Sequence, residues 1–295
     1  MTGRTSVLAI VSALAVGGAH AQTGEVNVYT YREAKLIKPF FDAFTAATGI
    51  RVNTVSATAG LEQRIAAEGA NSPADLLLTV DVGRIQDALA LGIAQPMKSQ
   101  ALESVIPARY RDPDGRWYGV SMRARIVYAS RERVPQDSIT YEELADPKWK
   151  GKFCTRSGQY MYSNALFAAY LAHHGEEKTE AWLRGLKANL AQKPSGADRE
   201  VARDIAAGKC DVGFANTYYW ALMKNNEPER QAWAEATKVL LATFQGGGTH
   251  VNLSAVALMK NAPHKEQAMK LVEFFASEQA QRMYADLNYE YPLRA

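Results

Sequence analysis

The sequence predicts an α/β protein of two lobes with a ligand cleft between them. Short β-prone runs alternate with amphipathic helical stretches along most of the chain, which implies parallel strands flanked by helices. Residues 118–130 form one strand-like segment too long and too alternating for a single buried parallel strand, and suit a crossover between lobes. A length of 295 residues fits two ordinary domains.

The elements follow in order. Residues 26–29 are β-prone, and a polar loop at 30–35 leads into a helix over 36–48, where Leu36, Ile37, Phe40, Phe41 and Phe44 recur at helical spacing before Gly49 ends it. Residues 50–56 read as a strand, 61–68 as a helix, 75–80 as a buried strand and 83–91 as a helix stopped by Gly92. After the crossover come a helix at 141–145, a strand at 151–155, helices at 163–173, 176–190 and 197–207, and a strand at 210–215. Strands at 238–244 and 251–259 flank Gly246-Gly247-Gly248, and the chain returns to helix over 265–288. This divides the chain into a first lobe (22–122 plus about 246–288), a second lobe (123–245) and a tail at 289–295. Relatives of the family named below usually continue past the segment like 288–293, so this tail is expected to be truncated or to lack a C-terminal helix.

Composition narrows the function. Apolar residues make up 47% and charged residues 22%, as in a globular protein with a sizeable core, and the net charge of +3 is spread without basic runs, which argues against nucleic acid as a partner. Arg4, an apolar stretch at 7–16 and Ala19-His20-Ala21 read as a secretory leader cleaved after Ala21. The apolar stretch is too short to span a bilayer. Export makes the two cysteines informative: an oxidising compartment favours joining Cys154 to Cys210, with two free buried thiols as the alternative.

Ligands of open α/β sheets bind beyond the carboxyl ends of the strands. The loops expected there, 30–35, 80–83, 156–162 and 216–219, are rich in Tyr and Arg and almost free of His. Zinc spacings, a G-x-S-x-G elbow, a Cys near a His and a phosphate loop are all missing from the sequence, so it offers no convincing base and nucleophile. Adjacent phenols at Tyr218-Tyr219, where a buried strand emerges, stand out. Phenolate is a hard anionic oxygen donor suited to a small, hard trivalent cation.

Several segments together carry a family resemblance: Val-Asn-Val-Tyr-Thr-Tyr-Arg-Glu at 26–33, Phe-Thr-Ala-Ala-Thr-Gly-Ile-Arg-Val at 44–52, Ser-Pro-Ala-Asp-Leu-Leu-Leu-Thr-Val-Asp at 72–81, Arg-Ala-Arg-Ile-Val-Tyr at 123–128, Cys-Thr-Arg-Ser-Gly at 154–158 and Ala-Asn-Thr-Tyr-Tyr at 215–219. Over nearly its whole mature length the chain resembles the periplasmic ferric-iron-binding proteins of bacterial ABC transporters. The resemblance implies a two-lobe periplasmic-binding-protein fold of type II, no enzymatic activity, and a monomer that delivers Fe(3+) to a permease and ATPase. It implies iron ligation by Tyr218, Tyr219 and Tyr162. Where one branch has a glutamate ligand after the Ala-Asp strand, this chain has Val80, as fits the three-tyrosine branch. Glu33 stands at the usual histidine position; Tyr31 is the expected fourth donor, with Glu33 or an exogenous anion as fallback. Arg123 is expected to offset charge or hold a synergistic anion such as carbonate. The alternative is a binding protein of the same fold for an organic anion, a phosphonate or a polyamine.

Overall fold

The computed structural model describes residues 24–225 and 227–294; the expected leader and its cleavage point lie outside them. The first lobe opens with β1 (Glu25–Thr30), α1 (Ala34–Thr48), β2 (Arg51–Ser56), α2 (Leu61–Glu68), β3 (Leu76–Thr79), α3 (Val82–Ala90), β4 (Ala94–Gln95) and α4 (Gln100–Val105). The crossover is β5 (Tyr118–Ser130). The second lobe holds β6 (Phe153–Cys154), α5 (Met161–His174), α6 (Glu176–Asn189), α7 (Asp198–Ala206), β7 (Val212–Asn216), α8 (Thr217–Lys224), α9 (Pro228–Ala236) and β8 (Thr237–Leu240). The chain then returns through β9 (Val251–Met259) to α10 (Lys265–Ala276) and α11 (Glu278–Asn288) on the first lobe.

The crossover has a simple basis. The first half of β5 pairs with β9, from Tyr118 opposite Val256 to Ala124 opposite Val251. From Arg125 onward it pairs instead with β7 and β8. One strand thus belongs to both sheets, and it is buried along nearly its whole length. The sheets are mixed where the alternation of strands and helices predicts parallel ones. β1, β2 and β3 run parallel, but β5 and β9 cross between lobes in opposite directions and so enter antiparallel.

Each lobe has its own core. In the first, Ile37, Phe40, Phe41 and Phe44 of α1 pack with the β1 and β3 side chains and with α10 and α11. In the second, the sheet is covered on one face by α5 and α6 and on the other by α7 and α9. The disulfide Cys154–Cys210 joins β6 to the residues leading into β7, with 5.9 Å between Cα atoms. Gly213 in β7 lies so close to this staple that a Cβ there would sit 2.4 Å from the Cys154 carbonyl oxygen. At the bend before β9, Gly247 and Gly248 take positive φ of 94° and 86°, a region that favours glycine.

Other differences from the sequence reading have local causes. The helix expected over 265–288 is two helices, because Ser277 is extended and its hydroxyl caps α11 at the Ala280 amide. Residues 142–145 form a 3-10 turn rather than an α-helix. Three helices, α4, α8 and α9, are absent from the reading; α8 is rich in aromatic residues, which favour strands when read by composition, and α9 starts on Pro228. The tail at 289–294 packs on the first lobe: Tyr291 bridges to Met122, and the Leu293 amide donates to Gln281 at 2.7 Å.

Candidate metal centre

The expected position of Tyr218 and Tyr219 needs correcting. They are not in a loop but in the first turn of α8, immediately after the buried strand β7. Tyr162 occupies the matching place in α5, whose N-cap is Tyr160. Both helices therefore present phenols at the end where free amide groups and the helix dipole favour negative charge. The three phenols form one buried cluster, only 5–7% exposed. The hydroxyls of Tyr162 and Tyr218 lie 3.4 Å apart, and the rings of Tyr218 and Tyr219 have centroids at 4.1 Å.

Without a cation Tyr218 and Tyr219 are neutral. Burial, followed by the neighbouring Tyr162 and Tyr219, drives Tyr218 well above the ordinary phenol range. Burial, then Tyr162 and Asp198, raises Tyr219 as well. A bound trivalent cation reverses this preference, since it rewards the anion that burial alone disfavours. The surroundings are already cationic. The Arg123 guanidinium lies 5.2 Å from the Tyr162 ring centre, Arg156 lies 5.3 Å from the same ring, and Arg199 lies 4.6 Å from that of Tyr219.

The facing wall comes from the first lobe. Tyr31 follows β1, and its hydroxyl donates to Glu62 and accepts from the Leu61 amide at 2.7 Å. Arg84 stacks on its ring at 3.8 Å. Burial and the Glu62 hydrogen bond push the Tyr31 phenol up to about 12. Glu33 sits before α1 with its side chain 47% exposed, 3.5 Å from Lys35. Arg32 is buried, donates to Ser254 at 2.9 Å and pairs with Glu290 at 2.7 Å. Glu290 also accepts the Ser121 hydroxyl at 2.6 Å.

Arg123 joins the walls. It lies on β5 at the crossing, donates to the Val80 carbonyl, stands 3.9 Å from Asp81, and keeps a buried Nη1 with no hydrogen-bond partner. A cavity of about 280 Å³ brings together Tyr31, Glu33, Arg123, Tyr162, Tyr218 and Tyr219, the six residues singled out from the sequence. A wider opening of about 630 Å³ adjoins it, sharing Thr58, Tyr160 and Met161. Among the described residues no three His, Cys, Asp or Glu side chains gather to hold a metal, so the oxygens available for a hard cation are chiefly phenolic.

Two residues escape the sequence reading. Glu290 reaches the cavity wall from the tail, and its one signal is an acid amid Tyr, Pro and Leu. Asp198 is fully buried under the tyrosine helices, but in sequence it looks like any acid at a helix start.

Comparisons with known proteins bear on this arrangement. The family described as bacterial extracellular solute-binding protein matches residues 71–295. Iron uptake protein A1 of Synechocystis sp. is 43% identical over 274 residues, covering 92% of this chain and 76% of the relative. Among solved structures, a Bordetella ferric binding protein is 53% identical with a TM-score of 0.84, the match covering 92% of this chain and 86% of that one. A Trichodesmium protein solved in complex with iron and citrate ligands is 41% identical with a TM-score of 0.85, the match covering 92% and 87%. These relatives are named for binding or uptake, not for turnover, and their fold is the two-lobe type II architecture traced above. The chain belongs to the bacterial extracellular solute-binding protein family and is a binding protein, not an enzyme.

Proposed function

We propose that this protein captures Fe(III) in the cleft between its lobes through the phenolates of Tyr162, Tyr218 and Tyr219, and delivers it to the permease and ATPase of an ABC transporter. The observation that carries the reading is the buried convergence of three phenols at two helix N-termini, ringed by guanidinium groups. Relatives named for ferric iron binding and iron uptake support the same ligand. With the expected leader, the proposal extends to a periplasmic, monomeric mature protein.

Charge suggests how the shell is completed. Three phenolates balance a trivalent iron, and a fourth anionic donor leaves one negative charge for a guanidinium to offset. Tyr31 lines the cavity and is the protein's own candidate, but it must leave Glu62 to ligate. Glu33 is the more exposed fallback. The unpartnered Nη1 of Arg123 supports a carbonate-like synergistic anion, held by the guanidinium beside the metal.

Titration of apoprotein with ferric citrate tests this. A red phenolate-to-iron charge-transfer band is expected. No band, or a band undiminished in Tyr218→Phe/Tyr219→Phe, overturns the proposal. The same unpartnered Arg123 atom favours a second reading, in which the cleft takes an organic anion or a phosphonate without metal. Metal analysis of the protein as isolated separates the two: stoichiometric iron supports the first, its absence with retained organic anion the second.

A further inference from the structure

We infer that Asp198 is the positioning residue of the iron site, a buried carboxylate that fixes the two tyrosine-bearing helix starts against each other. The inference rests on the Fe(III) reading above. Asp198 opens α7 on the side of the sheet that carries α8 and is fully buried. One of its oxygens accepts the Asn216 amide at 2.8 Å, and Asn216 is the N-cap of α8, two residues before Tyr218. The same oxygen accepts Arg125 Nη1 at 2.6 Å, and that nitrogen also reaches the Asn216 side-chain oxygen at 3.1 Å. The other oxygen accepts Arg156 Nη1 at 3.1 Å. Arg156 in turn lies 3.4 Å from the ring centre of Tyr160, the N-cap of α5, and 5.3 Å from that of Tyr162.

A single carboxylate therefore links the start of α8, the start of α5 and the crossover strand. No other acid among the described residues accepts hydrogen bonds from Arg125, Arg156 and the Asn216 amide together. The contribution of Asp198 is one of geometry, since its own charge disfavours the Tyr219 phenolate. Groups that orient ligands typically change metal affinity by about 10- to 100-fold when removed.

Asp204 provides a control on the same helix. It too is a buried carboxylate held by charged partners, Arg203 at 3.0 Å and Lys209 at 3.1 Å, with Gln192 at 2.6 Å, and among the described residues it makes no hydrogen bond or ion pair to either tyrosine helix. The test compares Asp198→Asn and Asp204→Asn in the full mature protein. Folding is checked by circular dichroism and melting, and the readouts are the position of the ferric charge-transfer band and the rate of iron loss into excess citrate. The expectation is a displaced band and iron loss faster by about tenfold or more for Asp198→Asn, with Asp204→Asn like wild type in both. Should Asp198→Asn not fold, Arg156→Gln, which cuts only the arm to α5, is read in its place with the same expectation. An unchanged band and release rate in the folded variant overturns the inference, as does an equal change in Asp204→Asn. Wild-type protein without the band overturns the iron reading itself, and the inference with it.

Discussion

The two walls of the cleft are built on different terms. On the first-lobe wall the polar groups already have partners: Tyr31 with Glu62, Arg32 with Glu290, Asp81 with Asn252 at 2.7 Å. On the second-lobe wall the phenols of Tyr162 and Tyr218 have chiefly each other, at 3.4 Å, and cations around them. A ligand reaching the second wall finds oxygens that lose little by turning to it; one reaching the first must displace a hydrogen bond. The contrast points to a second lobe that coordinates and a first lobe that completes and closes the site.

The largest expected effect addresses this asymmetry. Tyr218→Phe/Tyr219→Phe should lower Fe(III) affinity by more than about 100-fold, beyond the range seen when only supporting groups are removed, whereas Tyr31→Phe should cost about tenfold. Competition with a chelator of known affinity measures both. Equal losses at the two walls would break the comparison.

The protonation states give the next effect. Tyr218 and Tyr219 are neutral in the empty protein because burial raises them, so iron binding must release their protons. Affinity should fall as pH falls, by up to about one decade per pH unit for each phenol that ligates. The empty protein responds in the opposite range. A folded-state value above the ordinary 10 means stability that is fully present below pH 10 and lost as pH rises beyond it, and buried Tyr128 adds to the same trend. Urea midpoints taken below and above pH 10 should show the decline, and iron should delay it.

The staple of the second lobe comes next. Cys154→Ser/Cys210→Ser opens a loop with a sequence separation of 56, worth about 4 kcal/mol in the chain-entropy model. The denaturation midpoint should fall accordingly, with the loss centred on the second lobe and the β7–α8 junction loosened. Hydrogen exchange resolves the lobes, and equal loss of protection in both would contradict their separate cores. The smallest effect is expected at Glu33, whose exposed pairing with Lys35 stabilises little. Glu33→Gln should change stability by less than about 0.5 kcal/mol. A large loss of iron affinity in that variant would instead place Glu33 in the shell.

Legibility in the sequence divides along the same physical lines. The crossover strand could be read because its length and alternation break the pattern of a single buried strand, and α1 because its aromatic residues repeat at helical spacing. The tyrosine pair is legible by its chemistry but its setting is not, since aromatic residues after a strand do not announce a helix start. The disulfide follows from cysteine count and compartment. Glu290 and Asp198 could not be read, because their roles come from distant partners: Arg32 for one, and Arg125, Arg156 and Asn216 for the other.

Resonance Raman spectroscopy of the iron-loaded protein, excited within its charge-transfer band, tests the central claim most directly. Protein grown with ring-deuterated tyrosine is compared with unlabelled protein. Enhanced phenolate ring modes that shift on deuteration, and that vanish in Tyr218→Phe/Tyr219→Phe, are the predicted result. Bound iron with no enhanced phenolate modes would contradict it.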